Sequence, residues 1–355
     1  MYKVNLMIPR MPTTIDLLPY LNQIDSTKVY SNFGSLHAEL VRRLAIHFGV
    51  SEENIALCSN ATLAIAGAVY TSSYTENIWE CPSWTFTASP AALLGAHRKI
   101  RFGDVDKSGR LSIPEDCANL LDVLPFGDEP IAARYQKSKM SIVIDAAASF
   151  DALSKPGAIT GTNTAYVVSM HATKLVGAGE GGIFISLDKE WVSKFKSWTN
   201  FGMNGSGDRN SYQIGINAKI SEYSCAVALA SIDLWNETKK TILKNTQIAI
   251  KLSQKYNLTP TDSMLKGFAT PYWIVQLDNA QEKELLKTQF LLDGIQFREW
   301  WGHGCHLMPA YQKYSRGEFP TTSEIAQTTL GLPFHYFLSD GDWILIEHAL
   351  MNFRG

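Results

Sequence analysis

Ser169-Met170-His171-Ala172-Thr173-Lys174, with Gly177, Gly179, Gly181 and Gly182 close behind, is the stretch on which the reading of this chain turns. It starts where the β-rich run Ala165–Ser169 stops and ends where a second such run, Ile183–Leu187, begins. A lysine just past a strand end stands where open α/β sheets put their ligand-binding loops. Alone, such a lysine reads as a solvated surface side chain; four glycines beside it change that, because backbone without Cβ atoms lets another group come close. The glycines also suggest a dinucleotide-binding fingerprint, but that motif follows a strand and opens a helix. These lead into a strand, so a lysine-centred site beside a glycine-rich turn is the better reading.

Working outward, short apolar runs alternate with helical patterns. Ile55–Cys58 precedes the helix-like Ala61–Tyr70, Ile78–Glu80 precedes Thr85–Ala96, and Ile100–Asp104 precedes Pro114–Leu121, read as a helix in the same alternation. Ser141–Asp145, Ala165–Ser169 and Ile183–Leu187 are almost continuously apolar, as strands covered on both faces are. Upstream, Leu36, Leu40, Val41, Leu44 and Phe48 keep helical spacing up to a left-handed cap expected at Gly49. The pattern predicts an α/β fold with a mostly parallel sheet between helices.

From Ser221 to Lys251 the pattern becomes helical, and Pro271–Leu277, a helix near Gln281–Leu292 and Gln296–Trp300 read as a smaller C-terminal α+β domain. The expected division is near residue 240, giving a large α/β domain over 1–240, which carries the lysine-centred segment, and a small one over 241–355. Phe201–Ile214, with Gly202, Gly205 and Gly207, reads as a mobile loop.

Composition narrows the function classes. Thirty-two Lys and Arg against 34 Asp and Glu, without a like-charged run, give no footprint for nucleic acid or an anionic membrane. Apolar stretches such as Ala61–Tyr70 are too short to span a bilayer and the N-terminus lacks a signal pattern, so a cytoplasmic location is expected. The five cysteines, Cys58, Cys81, Cys117, Cys225 and Cys305, form no Cys-x-x-Cys pair, which argues against a disulfide framework or a zinc module. His303-Gly304-Cys305-His306 has no second ligand cluster at suitable spacing, so no metal is expected.

Two more segments fit a lysine-centred site. Asp145 ends the run Ser141–Asp145 and should emerge at the same sheet edge as Lys174; a carboxylate there can keep a pyridine protonated, as pyridoxal phosphate (PLP) requires, or simply cap the next turn. Asn60-Ala61-Thr62 closes a strand and opens a helix, offering backbone N–H groups and a hydroxyl to a phosphate, or merely an N-cap. In Pro82–Phe86 an aromatic side chain can stack on a flat ring, although a core aromatic is the default.

These segments together resemble the DegT/DnrJ/EryC1/StrS family of PLP-dependent nucleotide-sugar aminotransferases, which has the aspartate-aminotransferase fold (fold type I), and the resemblance implies a mostly parallel, seven-stranded type of sheet between helices. Ser169–Lys174 with Gly179-Glu180-Gly181-Gly182 resembles the family's Schiff-base segment, and Ile144-Asp145-Ala146-Ala147 its pyridine-binding strand end. Ser59–Ala64 is similar to its phosphate turn and Pro82–Phe86 to its ring-stacking segment, with Phe86 as the stacking residue. Gly215–Glu222 resembles a segment whose Asn, here Asn217, reaches the cofactor phosphate of the neighbouring subunit, implying a homodimer with shared active sites. Trp300-Trp301, His306, Pro309–Tyr311 and Leu332-Pro333 resemble its C-terminal pattern. The chain departs from the family at Ala148, where many members carry Gln near the cofactor ring, at Ala61 in place of Gly, and at Met170 in place of an aromatic.

The resemblance implies an enzyme that uses Lys174 and Asp145 to move an amino group from L-glutamate to a nucleotide-linked keto sugar. Cofactor contacts would come from Asn60, Ala61, Thr62, Phe86, Asp145, Ser169, Lys174 and Asn217. Lys219 would meet the pyrophosphate, and Trp301 and His306 would shape the sugar or nucleotide pocket. Ile8–Pro12 and Leu18–Leu21 look like members using dTDP-linked 6-deoxy keto sugars, so the expected acceptor is dTDP-4-keto-6-deoxy-D-glucose, aminated at C4 for a surface glycan such as O-antigen. Amination at C3, a sugar dehydratase, which carries His where Lys174 stands, and a non-catalytic PLP-binding regulator are the alternatives.

Overall fold

A computed structural model describes residues 2–73, 77–135, 140–205, 207 and 209–354. Its central sheet has seven strands, β1 (Ile55–Cys58), β2 (Ile78–Pro82), β3 (Lys99–Gly103), β4 (Asn119–Val123), β5 (Ser141–Asp145), β6 (Thr164–Ser169) and β7 (Gly182–Ser186), in the spatial order β1-β7-β6-β5-β4-β2-β3. Strands β2 to β6 pair in parallel, while β7 is antiparallel to both β6 and β1. The expected α/β class and mostly parallel sheet are therefore present.

Period-two alternation in these strands builds two cores. Ile142 and Ile144, Tyr166 and Val168, and Ile183 and Ile185 join one cluster, which also takes the apolar stripe Leu36, Leu40, Leu44 and Phe48 of a helix over Ser35–Phe48. Val143, Ala165, Val167 and Phe184 face the other way, onto helices at Ala61–Thr71, Ala88–Gly95 and Lys189–Thr199. Strands covered on both faces are apolar at most positions, which is why these runs lack the polar alternation of a half-exposed sheet. The same alternation sends Asp145 and Ser169, at the ends of β5 and β6, toward the second face.

One sequence expectation fails. Pro114–Leu121 is not a helix: Cys117 N–H closes a turn onto Pro114 O (3.2 Å), and the chain then enters β4. Asn119-Leu-Leu-Asp-Val123 is buried throughout and pairs with all of β5, so its apolar residues serve a central strand covered on both faces. The helix expected over Thr85–Ala96 is shorter and starts at Ala88. The loop Phe201–Ile214 includes residues 206 and 208, outside the described residues; within it Met203 bridges Ser211.

Beyond Ser221, helices over Glu222–Asp233 and Trp235–Lys255 lead to a second, antiparallel sheet of β8 (Thr259–Pro260), β9 (Trp273–Gln276) and β10 (Thr329–Leu332), with a helix over Ala280–Asp293. Gln296–Trp300 contributes only the bridge between Arg298 and Gly331. The division near residue 240 falls within the unbroken Trp235–Lys255 helix, and Val4 bridges Ile295, so we propose that the smaller unit also takes up the first residues of the chain. No helix among the described residues is long and apolar enough to cross a membrane.

The glycine turn has a definite neighbour. Gly182 lies between Cys58 on β1 and Ser169 on β6, and a Cβ there would come within 2.6 Å of the backbone C and O of Asn60. The close approach read from the glycines thus includes protein backbone: β7 presses on the Asn60 turn. Gly182→Ala should lower the unfolding free energy by about 1–3 kcal/mol, since backbone must shift to admit the methyl group. Denaturant unfolding checks this, and an unchanged midpoint would mean that the turn has slack.

Candidate active site

At the C-terminal ends of the parallel strands lies a cavity of about 800 Å³. Val123 ends β4 and Leu124 follows it, Asp145 ends β5 with Ala147 just beyond, and Ser169 ends β6 ahead of His171, Thr173 and Lys174, so three neighbouring strand ends form its floor. The start of the Ala61–Thr71 helix and Phe86 form one side, and Tyr272, Arg298, Trp300 and Trp301 form the other.

Asp145 is buried, 6% exposed. Ser89 Oγ donates to its Oδ2 (2.6 Å) and Ala147 N–H to its Oδ1 (3.1 Å). Burial pushes its carboxyl above the usual aspartate range, opposed by those two hydrogen bonds and by the positive charge of Lys174. Lys174 Nζ donates to the hydroxyl of Tyr272 (2.7 Å), while the Lys174 N–H closes a turn onto His171 O (2.8 Å). His171 N–H bonds Ser169 Oγ (3.2 Å), and Met170 and Ala172 N–H bond the carbonyls of Gly181 and Gly179, each at 2.9 Å. The glycine turn is therefore the partner strand that shapes the lysine segment.

The Asn60 turn is an N-cap that opens onto the cavity. Asn60 Oδ1 accepts from Leu63 N–H (2.9 Å) and Asn60 O from Ala64 N–H (3.0 Å). The N–H groups of Ala61 and Thr62 have no partner among the described residues and lie at the positive end of the helix, beside the cavity. Phe86 is 57% exposed on the cavity, whereas Trp84 is 3% exposed and packs edge-on to Trp301 (4.7 Å). Of the two aromatics, Phe86 is the one available to a flat ligand.

Asn60, Ala61, Thr62, Phe86, Asp145, Ser169, Lys174 and Trp301 thus share one cavity. Asn217, Lys219 and His306 do not line it. Asn217 is exposed and bridges Asn200; Lys219 Nζ donates to Asn200 Oδ1 (3.0 Å) above the Phe201 ring, and partial burial lowers its pKa. His306 is buried against Phe319 with ring centroids 4.4 Å apart. At the end of the Gly215–Glu222 segment, Glu222 accepts from the N–H groups of Gly34, Leu36 and His37 and caps the Ser35–Phe48 helix.

Sequence reasoning missed Ser89, Tyr272 and Arg298. Ser89 had a signal: Thr85 and Ser89 are hydroxyl residues standing four apart, and their hydroxyls meet at 3.2 Å beside Asp145. Tyr272 and Arg298 come from the second sheet region, and no local pattern announces which of its aromatic or charged residues turns toward a strand end of the first.

The chain belongs to the DegT/DnrJ/EryC1/StrS aminotransferase family, whose sequence model matches residues 129–350. It is a PLP-dependent sugar aminotransferase. It is 28% identical to a dTDP-4-amino-4,6-dideoxy-D-glucose transaminase of Shigella dysenteriae over 98% of this chain and 97% of that one. It is 25% identical to a transaminase of the same name from Escherichia coli, over 97% of each chain. Among solved structures it resembles DesI in the presence of its TDP-sugar product, with TM-score 0.82, 25% identity and coverage of 98% of this chain and 93% of that one. A putative PLP-dependent aminotransferase from Bacillus cereus shares the fold, with TM-score 0.85, 22% identity and coverage of 98% and 99%.

The donor set fits PLP: an amine on Lys174, a buried carboxylate at Asp145, unpaired N–H groups at Ala61 and Thr62, and an exposed ring at Phe86. When bound, PLP supplies an electron-withdrawing pyridinium that stabilises negative charge at the substrate's reacting carbon.

Burial of Asp145 sets opposing effects on stability and turnover. Because its folded-state pKa is raised, the folded cofactor-free protein holds this proton more tightly than the unfolded chain does. Stability then falls as pH rises from about 4 through the raised value, and the penalty is complete above it. Asp145→Asn should therefore raise the Tm of the cofactor-free protein at pH 7, with the gain fading at acid pH, while turnover of the loaded enzyme is mostly lost. A variant less stable than wild type at pH 7 would contradict the desolvated-anion reading.

Proposed function

We propose that this protein transfers the amino group of L-glutamate to C4 of dTDP-4-keto-6-deoxy-D-glucose, for a surface glycan such as O-antigen. The observation that carries the reading is the meeting of the Lys174 amine and the buried Asp145 carboxylate in one cavity of about 800 Å³, within the 300–1,000 Å³ of small-molecule sites. The choice of sugar and carbon rests on the names of the Shigella and Escherichia relatives, which span nearly the whole chain.

In this reading Lys174 is the attachment point and the proton carrier: its Nζ takes the proton from the amino donor's Cα and returns one to the acceptor carbon in the second half-reaction. Tyr272 aims that amine through the 2.7 Å hydrogen bond. Asp145 holds the proton on the pyridine nitrogen, the Ala61 and Thr62 N–H groups with the Thr62 and Ser169 hydroxyls grip the phosphate, Asn60 fixes that turn as its cap, and Phe86 stacks on the ring.

The same reading includes a homodimer, with the partner subunit's Asn217 completing the phosphate seat and the partner subunit's Lys219 meeting the nucleotide diphosphate. Both residues lie outside their own cavity, amid exposed apolar side chains such as Phe201, Ile214 and Ile216. Such a patch favours association. Trp301, stacked on Phe126 at 4.5 Å, gives the sugar a flat wall.

Incubation with glutamate and a panel of 3-keto and 4-keto nucleotide sugars should give 2-oxoglutarate and a 4-amino sugar, read by NMR of the product. A 3-amino product would move the acceptor carbon, and absence of any amino sugar would sink the reading. Lys219→Ala should raise the sugar KM more than the glutamate KM, because glutamate has no diphosphate to lose; equal effects would tie Lys219 to the cofactor instead.

A further inference from the structure

The two half-reactions proposed above use one amine, so both substrates must bring their reacting carbon to Lys174 Nζ. They are unlike elsewhere, but each also carries an oxyanion away from that carbon: a second carboxylate in glutamate, a diphosphate in the nucleotide sugar. Among the described residues, Lys174 and Arg298 are the only lysine and arginine side chains that line the cavity. Lys174 is committed to chemistry. Arg298 has no carboxylate partner among the described residues, and its neighbour Glu299 is drawn off by Lys283 (2.7 Å) and Lys287 (3.2 Å).

Arg298 is also held in place. Its N–H donates to Gly331 O (3.0 Å) and its carbonyl accepts from Gly331 N–H (2.8 Å), fixing the backbone on β10. The guanidinium lies over the Trp300 ring, 4.9 Å from its centroid, and Trp300 meets Tyr272 edge-on at 5.0 Å. The Tyr272 hydroxyl in turn receives the Lys174 amine. Trp300 keeps its place only because residue 331 is glycine: a Cβ there would lie 2.2 Å from the indole Nε1. One wall thus runs from a free guanidinium, across two rings, to the reacting amine.

We propose that Arg298 is an anion anchor shared by both substrates, receiving the distal carboxylate of the amino donor in one half-reaction and the diphosphate of the nucleotide sugar in the other. The planar fork of a guanidinium suits either group bidentately. This rests on the function proposed above for the identity of the substrates, not for the binding of anions. Lys219 and Arg298 then differ: the former favours the sugar, the latter serves both.

The test uses the cofactor-loaded enzyme and two unreactive probes, glutarate and inorganic pyrophosphate, followed by calorimetry and by the visible absorbance of the bound cofactor. Wild type should bind both, each displacing the other. Arg298→Gln should weaken both on the order of tenfold or more and raise the KM for glutamate and for the keto sugar together, with cofactor retention and Tm unchanged; Arg298→Lys should recover part of the loss. Gly331→Ala, which leaves the charge in place but displaces Trp300, should weaken both probes as well. Unchanged binding of both probes in Arg298→Gln, an effect on one probe alone, or loss of the cofactor would each overturn the shared anchor. If no keto sugar is aminated yet both probes compete in wild type and fail together in Arg298→Gln, the substrate assignment falls while the anchor stands.

Discussion

A carboxylate taken out of water at the end of a central strand is the constraint around which the site is built. Asp145 can remain in the fold only because Ser89 and the Ala147 N–H hydrogen-bond it and Lys174 adds a nearby positive charge. Even so, burial keeps its pKa raised, so the ionised form of this carboxyl is only partly compensated by its neighbours in the chain. A ligand that brings a protonated ring nitrogen relieves that deficit.

The sheet order makes the arrangement possible. Because β4, β5 and β6 are parallel neighbours, their C-terminal ends open onto one edge, and the antiparallel β7 returns the glycine turn to that edge between β1 and β6. Gly182 lets β7 press against the Asn60 turn, so the anion seat and the lysine segment are positioned by the same strand. The second sheet region then closes the cavity with Tyr272, Trp300 and Trp301, whose rings give a wall of fixed shape. Floor and wall come from different halves of the sequence, and their meeting defines the space in which two substrates take turns.

What could be read from the sequence follows from how local each signal is. β5 lies where its apolar run predicted, and β6 within one residue, because a strand covered on both faces leaves an uninterrupted apolar signature. Asp145 stands out as a candidate because it closes such a run, and Lys174 because it follows one at a short distance. Pro114–Leu121 was misread because a short apolar run fits a buried strand as well as a helix; burial on both faces and pairing with β5 decide it. Tyr272 and Arg298 were illegible because their function depends on the docking of the second sheet region, which no periodicity encodes. Lys219 and His306 were chosen by position within a motif, and position did not reveal that one lies over Phe201 and the other packs on Phe319.

The central claim is that Lys174 holds the cofactor in a site made by β5, β6 and the Asn60 turn. Borohydride reduction of the loaded protein, followed by proteolysis and mass spectrometry, tests it directly, since reduction fixes the cofactor to whichever amine bears it. The adduct should lie in the peptide containing Ser169–Lys174, on Lys174 alone. An adduct on Lys239, whose Nζ is held 2.6 Å from Asp151, on the exposed Lys240, or on any other lysine would contradict the account.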